Sequence, residues 1–423
     1  MFPKEPTPVP LYPLATLTVG RLWQAIHYRF ASALRHMSNV ICLLAPLLFP
    51  IIGSLQGVDP KVVAKIEERC QTELDLVHSR SDFPGGSLAL ILPGGQSLAI
   101  TVGTTDKERD GQDLKASDRL LSGSIGKTYV AAMALKLSSE GKLDLDAKAI
   151  DFFEGESWFL RLAGSDSFTV RQLLRHQSGL QRYVFGKEFW ETLTQEIDKV
   201  WEPKELLSFV FDHDGLFAPG EGWAYSDTNY IVVGMILEKI SGEKMYDYVQ
   251  NHFLDPHKLR DTVPSDSRRI PGLIQGHTRS FQAFGLPDRV LDEGLFIINP
   301  QFEWCGGGFC NTPLDLARWA RILFSGAAFD ADYLPELLAS VPADPRQLGS
   351  NSSYGPGCII RQTELGELRG HDGVMTGYQS VMGWYPDLDL AIAFQMNMDS
   401  DRKIGMPLSR LLMSFAKIAA EEL

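Results

Sequence analysis

Apolar positions along the chain change period several times, and each change marks an element. Between Asp59 and Ser79, Val62, Val63, Ile66 and Leu74 gather on one side of a 3.6-residue repeat. Asp59 ahead of Pro60 is a start signal, so the stretch predicts a helix. Ser87–Leu92 and Gln96–Val102 then flank Pro93-Gly94-Gly95, the pattern of a hairpin. Helical spacing returns from Ser124 to Glu140, with Val130, Met133, Ala134 and Leu137 at i, i+3, i+4 and i+7 and Gly141 as C-cap. From about 142 to 300 the signals are mainly helical with long loops. After about 306 helices and strands mix. Gly357–Arg361 and Leu368–Gly373 flank a turn, and Gln379–Tyr385 and Asp389–Met396 flank Pro386-Asp387. A closing helix is expected near Pro407–Leu423, with Leu408, Leu411, Leu412 and Phe415 on one face.

Hairpins make antiparallel pairs. With hairpins at both ends and helices in the middle, the economical fold is α/β of the α+β type. One antiparallel sheet would be built from both ends of the chain and covered by the terminal helices. A largely helical second lobe, about 142–300, would leave a cleft against the sheet, a favoured place for a site.

The N-terminal part has a different character. Residues 40–53 read VICLLAPLLFPIIG, an uncharged apolar run preceded by Arg29, Arg35 and His36 and closed by Gly53 and Ser54. That length suits the apolar region of an export signal better than a membrane span, and Pro46 and Pro50 disfavour a regular helix. The residues before it are too many for an ordinary signal, which leaves a start at Met37, a long export signal or an anchor as readings. Residues 1–57 are therefore expected to be an N-terminal extension and 58–423 the folded domain. The protein is expected to be exported, periplasmic or secreted, with membrane association through this segment.

Composition narrows the classes. The formal net charge of -13 speaks against a nucleic-acid partner, which calls for a basic patch. Five cysteines without a C-x-x-C pair give neither a zinc site nor a disulfide framework. Buried free thiols are expected, with a Cys305–Cys310 pair as the alternative. No H-E-x-x-H or clustered ligand spacing occurs, so no metal or cofactor is implied.

The chemistry centres on Leu121-Ser122-Gly123-Ser124-Ile125-Gly126-Lys127-Thr128. A phosphate loop would need glycine where Leu121 stands. A nucleophile elbow, G-x-S-x-G, has Ser122 at its first position and would need alternating strands and helices. The third reading is S-x-x-K. A serine hydroxyl needs a nearby base to become a nucleophile, and positions i and i+3 share a helix face. The spacing also occurs at Ser139, Ser241, Ser400 and Ser414, but only Ser124 heads a long amphipathic helix flanked by small residues.

Four further segments follow in order: Phe168–Leu180 (FTVRQLLRHQSGL), Pro219–Asp227 (PGEGWAYSD), Gly307-Gly308 through Asp315-Leu316-Ala317, and Gly370-His371-Asp372-Gly373. With Ser124-x-x-Lys127, they make the chain from about 60 to 420 resemble the serine β-lactamase-related family of class C β-lactamases, D-alanyl-D-alanine carboxypeptidases, esterases and D-aminopeptidases. The resemblance implies a β-lactamase/transpeptidase-like fold and a serine hydrolase that forms a covalent acyl-enzyme on an ester, amide or peptide bond. A carboxypeptidase-like or esterase-like activity is expected, with a β-lactamase or a non-turnover penicillin-binding sensor as alternatives. The substrate would be a small molecule or peptide.

The resemblance also implies roles. Ser124, Lys127 and Tyr225 are the catalytic group, and Asp227, His371, Gly373 and Val374 line the substrate. The Ser124 and Val374 N–H groups would form the oxyanion hole. Asp227 departs from the family's asparagine, and an ionised carboxylate only accepts hydrogen bonds. His371 stands where the lactamases have lysine; it would meet a substrate carboxylate as a cation or donate one bond when neutral, and Asp372 would raise its pKa if their side chains met. His176 and Trp223 are expected to be structural.

Overall fold

The computed structural model describes residues 57–107 and 111–423, so the apolar segment 40–53 lies outside the described residues. The first helix, α1 (Pro60–Arg80), starts as its sequence directs: Pro60 occupies the first turn, and the Asp59 carboxylate accepts from the Lys61 N–H at 2.8 Å. The first hairpin follows as β1 (Gly85–Ile91) and β2 (Ser97–Gly103). Six strands come from the C-terminal part: β3 (Val341–Pro342), β4 (Ser352–Gly355), β5 (Cys358–Thr363), β6 (Gly366–Met375), β7 (Tyr378–Tyr385) and β8 (Leu390–Met396).

These strands form one sheet in the order β2-β1-β8-β7-β6-β5-β4-β3, with every neighbouring pair antiparallel. The β1–β8 pairing, with Leu88 opposite Phe394, joins the two ends of the domain. The fold is thus the expected mixed α/β arrangement around an antiparallel sheet. The closing helix (Leu408–Glu422) packs with α1 on one face, where Ile66, Cys70, Leu74, Phe394, Leu411 and Phe415 share an apolar cluster.

The other face carries a larger cluster that runs without a break into the helical part of the chain. Three helices build it: α2 (Lys127–Ser139), α3 (Asp227–Ser241) and α4 (Pro313–Phe324), after which the closing helix is α5. The spacing in α2 predicts one apolar face, but the structure buries Lys127 through Leu135 and Leu137. Helix α2 is a central helix: Ala131, Ala132 and Ala134 let neighbours approach, and Trp319 of α4 stacks on Tyr129 at 4.4 Å between ring centres. The region between α2 and α3 holds only short helices, such as Val170–Leu174 and Lys187–Gln195, joined by turns. Among the described residues, no helix is long and apolar enough to cross a membrane, and Cys70, Cys305, Cys310 and Cys358 are buried free thiols.

Two close backbone approaches place the turn Gly123–Gly126 ahead of α2. A Cβ on Gly126 would stand 1.5 Å from the Gly307 carbonyl oxygen, and one on Gly373 of β6 would stand 1.8 Å from the Ser122 carbonyl oxygen. The turn is therefore held between the exposed edge of β6 and the Gly306–Gly308 loop. Gly126→Ala has no φ objection, so its cost is steric: a loss of at least about 2 kcal/mol is expected from overpacking, read by urea unfolding. An unchanged midpoint would show that the two loops can part without penalty.

Candidate active site

Ser124 lies in a 3₁₀ turn, Gly123–Gly126, that runs directly into α2. In a 3₁₀ turn residues i and i+3 eclipse, which brings Lys127 Nζ to 3.0 Å from Ser124 Oγ. Of the other S-x-x-K serines, Ser139, Ser241 and Ser414 bond backbone carbonyls, and Lys142, Lys244 and Lys417 pair with surface carboxylates. The phosphate-loop reading fails as well. The Thr128 hydroxyl is buried between the Ile125 carbonyl and the Trp319 indole, and Lys127 has no exposed surface. An all-antiparallel sheet removes the nucleophile elbow.

Lys127 uses all three of its hydrogens. Besides Ser124, it donates to Asp227 Oδ1 at 2.7 Å and to the Gly306 carbonyl. Asp227, in the first turn of α3, receives a second cation: Arg182 Nε and Nη2 reach Oδ2 at 3.0 and 2.7 Å. Burial pushes the Asp227 carboxyl up, but Arg182 and Lys127 overcome it and hold the group well below the ordinary carboxylate range. Burial likewise works against the Lys127 ammonium, yet Asp227 and Tyr225 keep its pKa raised. The resting site therefore holds a carboxylate between two cations.

Tyr225 lies across this group, with Lys127 Nζ 5.0 Å and the Arg182 guanidinium 5.1 Å from its ring centre. Its hydroxyl is buried, faces Ser124 and Lys127, and makes no hydrogen bond of normal geometry. Burial raises its pKa and Lys127 opposes the rise, so the phenol is neutral. His176 packs beneath the ring at 4.2 Å and takes the Ser226 N–H on Nδ1 at 3.2 Å, which gives it the expected structural place. Trp223 packs edge-on against His176.

The opposite wall is β6. Met375 and Tyr378 flank the two-residue turn to β7, and alternation of ladder bonds then directs the backbone of Val374 away from β7. That side faces the Ser124 turn: the Val374 nitrogen comes within 2.8 Å of the Cβ position on Gly123. Of the two forms expected for His371, a cation or a neutral donor, the structure has the neutral one. The Asp372 carboxylate turns to Arg361, at 2.6 Å, and only the Asp372 carbonyl meets His371 Nδ1, at 2.5 Å. Nε2 lies 2.9 Å from the Tyr354 hydroxyl. Burial, then the Lys127 charge, lowers the imidazole to about 3. His371 is neutral, with both ring nitrogens occupied.

The site opens into a cleft of about 540 Å³. Its walls are largely apolar, with Phe185, Trp190, Phe281, Phe284 and Phe302 on one side and Val374 and Met375 on the other. Arg182, Glu303 and Tyr354 were not marked by the sequence reading. The one signal for Arg182 was Asp227 itself, since a buried carboxylate in place of an amide asks for a further cation.

The sequence model of the family described as Beta-lactamase matches residues 64–411. The chain belongs to the β-lactamase family. It is 23% identical over 342 residues to penicillin-binding protein 4* of Bacillus subtilis, covering 78% of this chain and 72% of that one. A D-stereospecific amidohydrolase from Streptomyces sp. is 27% identical and superposes with a TM-score of 0.68, over 80% of this chain and 96% of its own. A D-amino acid amidase from Ochrobactrum anthropi SV3, complexed with L-phenylalanine amide, is 25% identical with a TM-score of 0.69, over 84% and 98%. This member of the β-lactamase family is accordingly a serine hydrolase that works through an acyl-enzyme on an amide or ester bond.

The Lys127–Asp227–Arg182 group also bears on stability. Asp227→Ala would strand a fully buried ammonium and a largely covered guanidinium, and a loss of about 3–5 kcal/mol is expected. Urea unfolding at neutral pH measures it. A cost below about 1 kcal/mol would mean that water reaches the cations.

Proposed function

We propose that Ser124 is the nucleophile and that the protein hydrolyses small amides, peptides or esters with a bulky apolar acyl group. The contact that carries this reading is the 3.0 Å approach of Lys127 Nζ to Ser124 Oγ inside a buried charged group. The Tyr225–Lys127 unit is fully protonated at rest; once it has lost one proton to solvent, attack by Ser124 Oγ on the scissile carbonyl passes the hydroxyl proton to it, and the unit returns that proton to the leaving group. The Ser124 and Val374 N–H groups receive the developing oxyanion. Water then releases the acyl group by the same route.

One feature favours amidase or esterase action over a carboxypeptidase or β-lactamase. A substrate carboxylate at the β6 end would meet a neutral His371 and an Arg361 already paired with Asp372. The amidases among the structural neighbours support the same side. A second reading, a penicillin-binding sensor that acylates without turnover, is favoured by Asp227 keeping Lys127 charged. The segment 40–53 supports export and membrane association, and fractionation of expressing cells checks both.

Ser124→Ala is expected to abolish covalent labelling by a fluorescent penicillin and to lower p-nitrophenyl butyrate hydrolysis at least about 10³-fold. Equal turnover by a folded variant would remove Ser124 from the mechanism. Labelling without turnover in the wild type would select the sensor.

The pH profile has a definite sign. Lys127 and Tyr225 both hold their protons above their ordinary range, so kcat/KM should climb with pH on the alkaline side of neutrality. Asp227→Asn removes the carboxylate that favours the protonated form of both groups, and the rising limb should move to lower pH. A limb that stays in place would show that neither group is the base.

A further inference from the structure

The mechanism leaves one acidic side chain of the cleft unused. Glu303 sits in the turn Pro300–Gly306, is half-buried, and lines the cleft beside Phe302. Among the described residues it forms no ion pair, and its Oε2 is shielded from solvent without a hydrogen-bond partner; the Gly308 N–H is the backbone group that faces the carboxyl. Its position is held at a cost, because the next residue, Trp304, takes φ 37° and ψ -113°, a conformation that L-residues rarely adopt.

The nearby cations do not serve it. The three Lys127 hydrogens go to Ser124, Asp227 and Gly306, and the Arg182 fork is closed on Asp227. Both Asp227 oxygens accept from these cations, whereas Glu303 accepts from neither of them. Other titratable groups facing it are the Tyr183 and Tyr246 phenols, both neutral by burial. Burial pushes Glu303 up to about 8, against the pull of Lys127. An unpaired carboxyl under that desolvation gains most from an incoming positive charge.

The carboxyl lies flat over Gly307, where a Cβ would come 2.7 Å from Oε1 and 2.8 Å from Oε2. Gly307 packs in turn on Gly126, two residues from Ser124. At Gly306, a Cβ would be 3.7 Å from the Asp227 Cβ and 4.0 Å from Lys127 Nζ. Glu303 thus lines the same cleft as Ser124, next to the aromatic wall and close to the Lys127–Asp227 pair. Among the described residues no group of three or more acidic, histidine or cysteine side chains could hold a metal ion. A lone carboxyl beside apolar walls suits an ammonium, which needs a few acceptors, better than a divalent cation, which needs a shell of oxygens.

We propose that Glu303 is an ammonium-binding subsite and that the acyl donor carries a free amine next to its scissile carbonyl, with an apolar side chain against Phe185, Trp190 and Phe284. The inference rests on the assignment of Ser124 as nucleophile. Substrates are amino acid amides, amino acid esters or peptides with an unblocked amino end. Binding ionises Glu303, and its proton leaves to solvent as the ammonium docks.

The test compares phenylalanine p-nitroanilide with its N-acetyl derivative, in both enantiomers, on wild type and Glu303→Gln. Wild type should prefer the free amine in kcat/KM, and Glu303→Gln should reduce that preference about 10- to 100-fold, mostly through KM. Phenethylamine and 2-phenylethanol serve as competitive inhibitors of p-nitrophenyl butyrate hydrolysis, and the amine should lose its advantage in the variant. An N-acetyl preference in wild type, or a ratio unchanged by Glu303→Gln in protein that still takes up a fluorophosphonate at Ser124, overturns the subsite. Turnover of butyrate that survives Ser124→Ala overturns the nucleophile instead, so the two failures are distinct.

Discussion

A carboxylate shared between two buried or half-buried cations organises this active site. Asp227 binds Lys127 through one oxygen and Arg182 through the other, and each side chain comes from a different part of the chain. Lys127 heads α2, Asp227 heads α3, and Arg182 follows the segment that resembles the family's second shared stretch. None of the three charges is tolerable there alone, because desolvating a single ion costs several kcal/mol. Their mutual satisfaction fixes how the two helices meet and where the lysine amine points. That direction is toward Ser124 Oγ, which lies 3.0 Å away.

The same group explains how an aspartate can stand where relatives keep an amide. An asparagine side chain is neutral, and the Asp227–Arg182 pair is neutral as a unit. The replacement conserves net charge around Lys127 but changes its distribution: the negative end lies against the ammonium and favours its protonated form. Tyr225, whose ring lies close to both cations and packs against His176, shares that field. The cleft that results is unlike one built to grip an anionic substrate. Its β6 wall has a neutral imidazole, and Glu303, without an ion pair among the described residues, lies beside the aromatic wall.

Much of the fold was legible from patterning. The hairpins at both ends of the domain, the covering helices α1 and α5, and the turn-then-helix around Ser124 follow from local period and punctuation, which act over a few residues. The shared motifs placed Ser124, Lys127, Tyr225, Asp227 and the β6 residues in one site, and the structure brings them together around one cleft. Less legible was α2, whose pattern suggested one apolar face although it is buried on nearly all sides. Whether the His371 and Asp372 side chains met was open in the sequence; the strand sends neighbouring side chains to opposite faces, so Asp372 meets Arg361.

The sequence by itself determined the main strands and covering helices, their antiparallel character, the S-x-x-K spacing and the family, because these depend on residue type and short-range spacing. Tertiary structure alone decided the charge states. Whether Lys127 is an ammonium, His371 a neutral ring or Glu303 an unpaired acid depends on burial and on partners tens to hundreds of residues away. Arg182 could not be assigned to Asp227, nor Glu303 to the cleft that Ser124 lines, until the chain had folded. Electrostatic energy depends on distance in space and on exclusion of water, and neither is written in the order of residues.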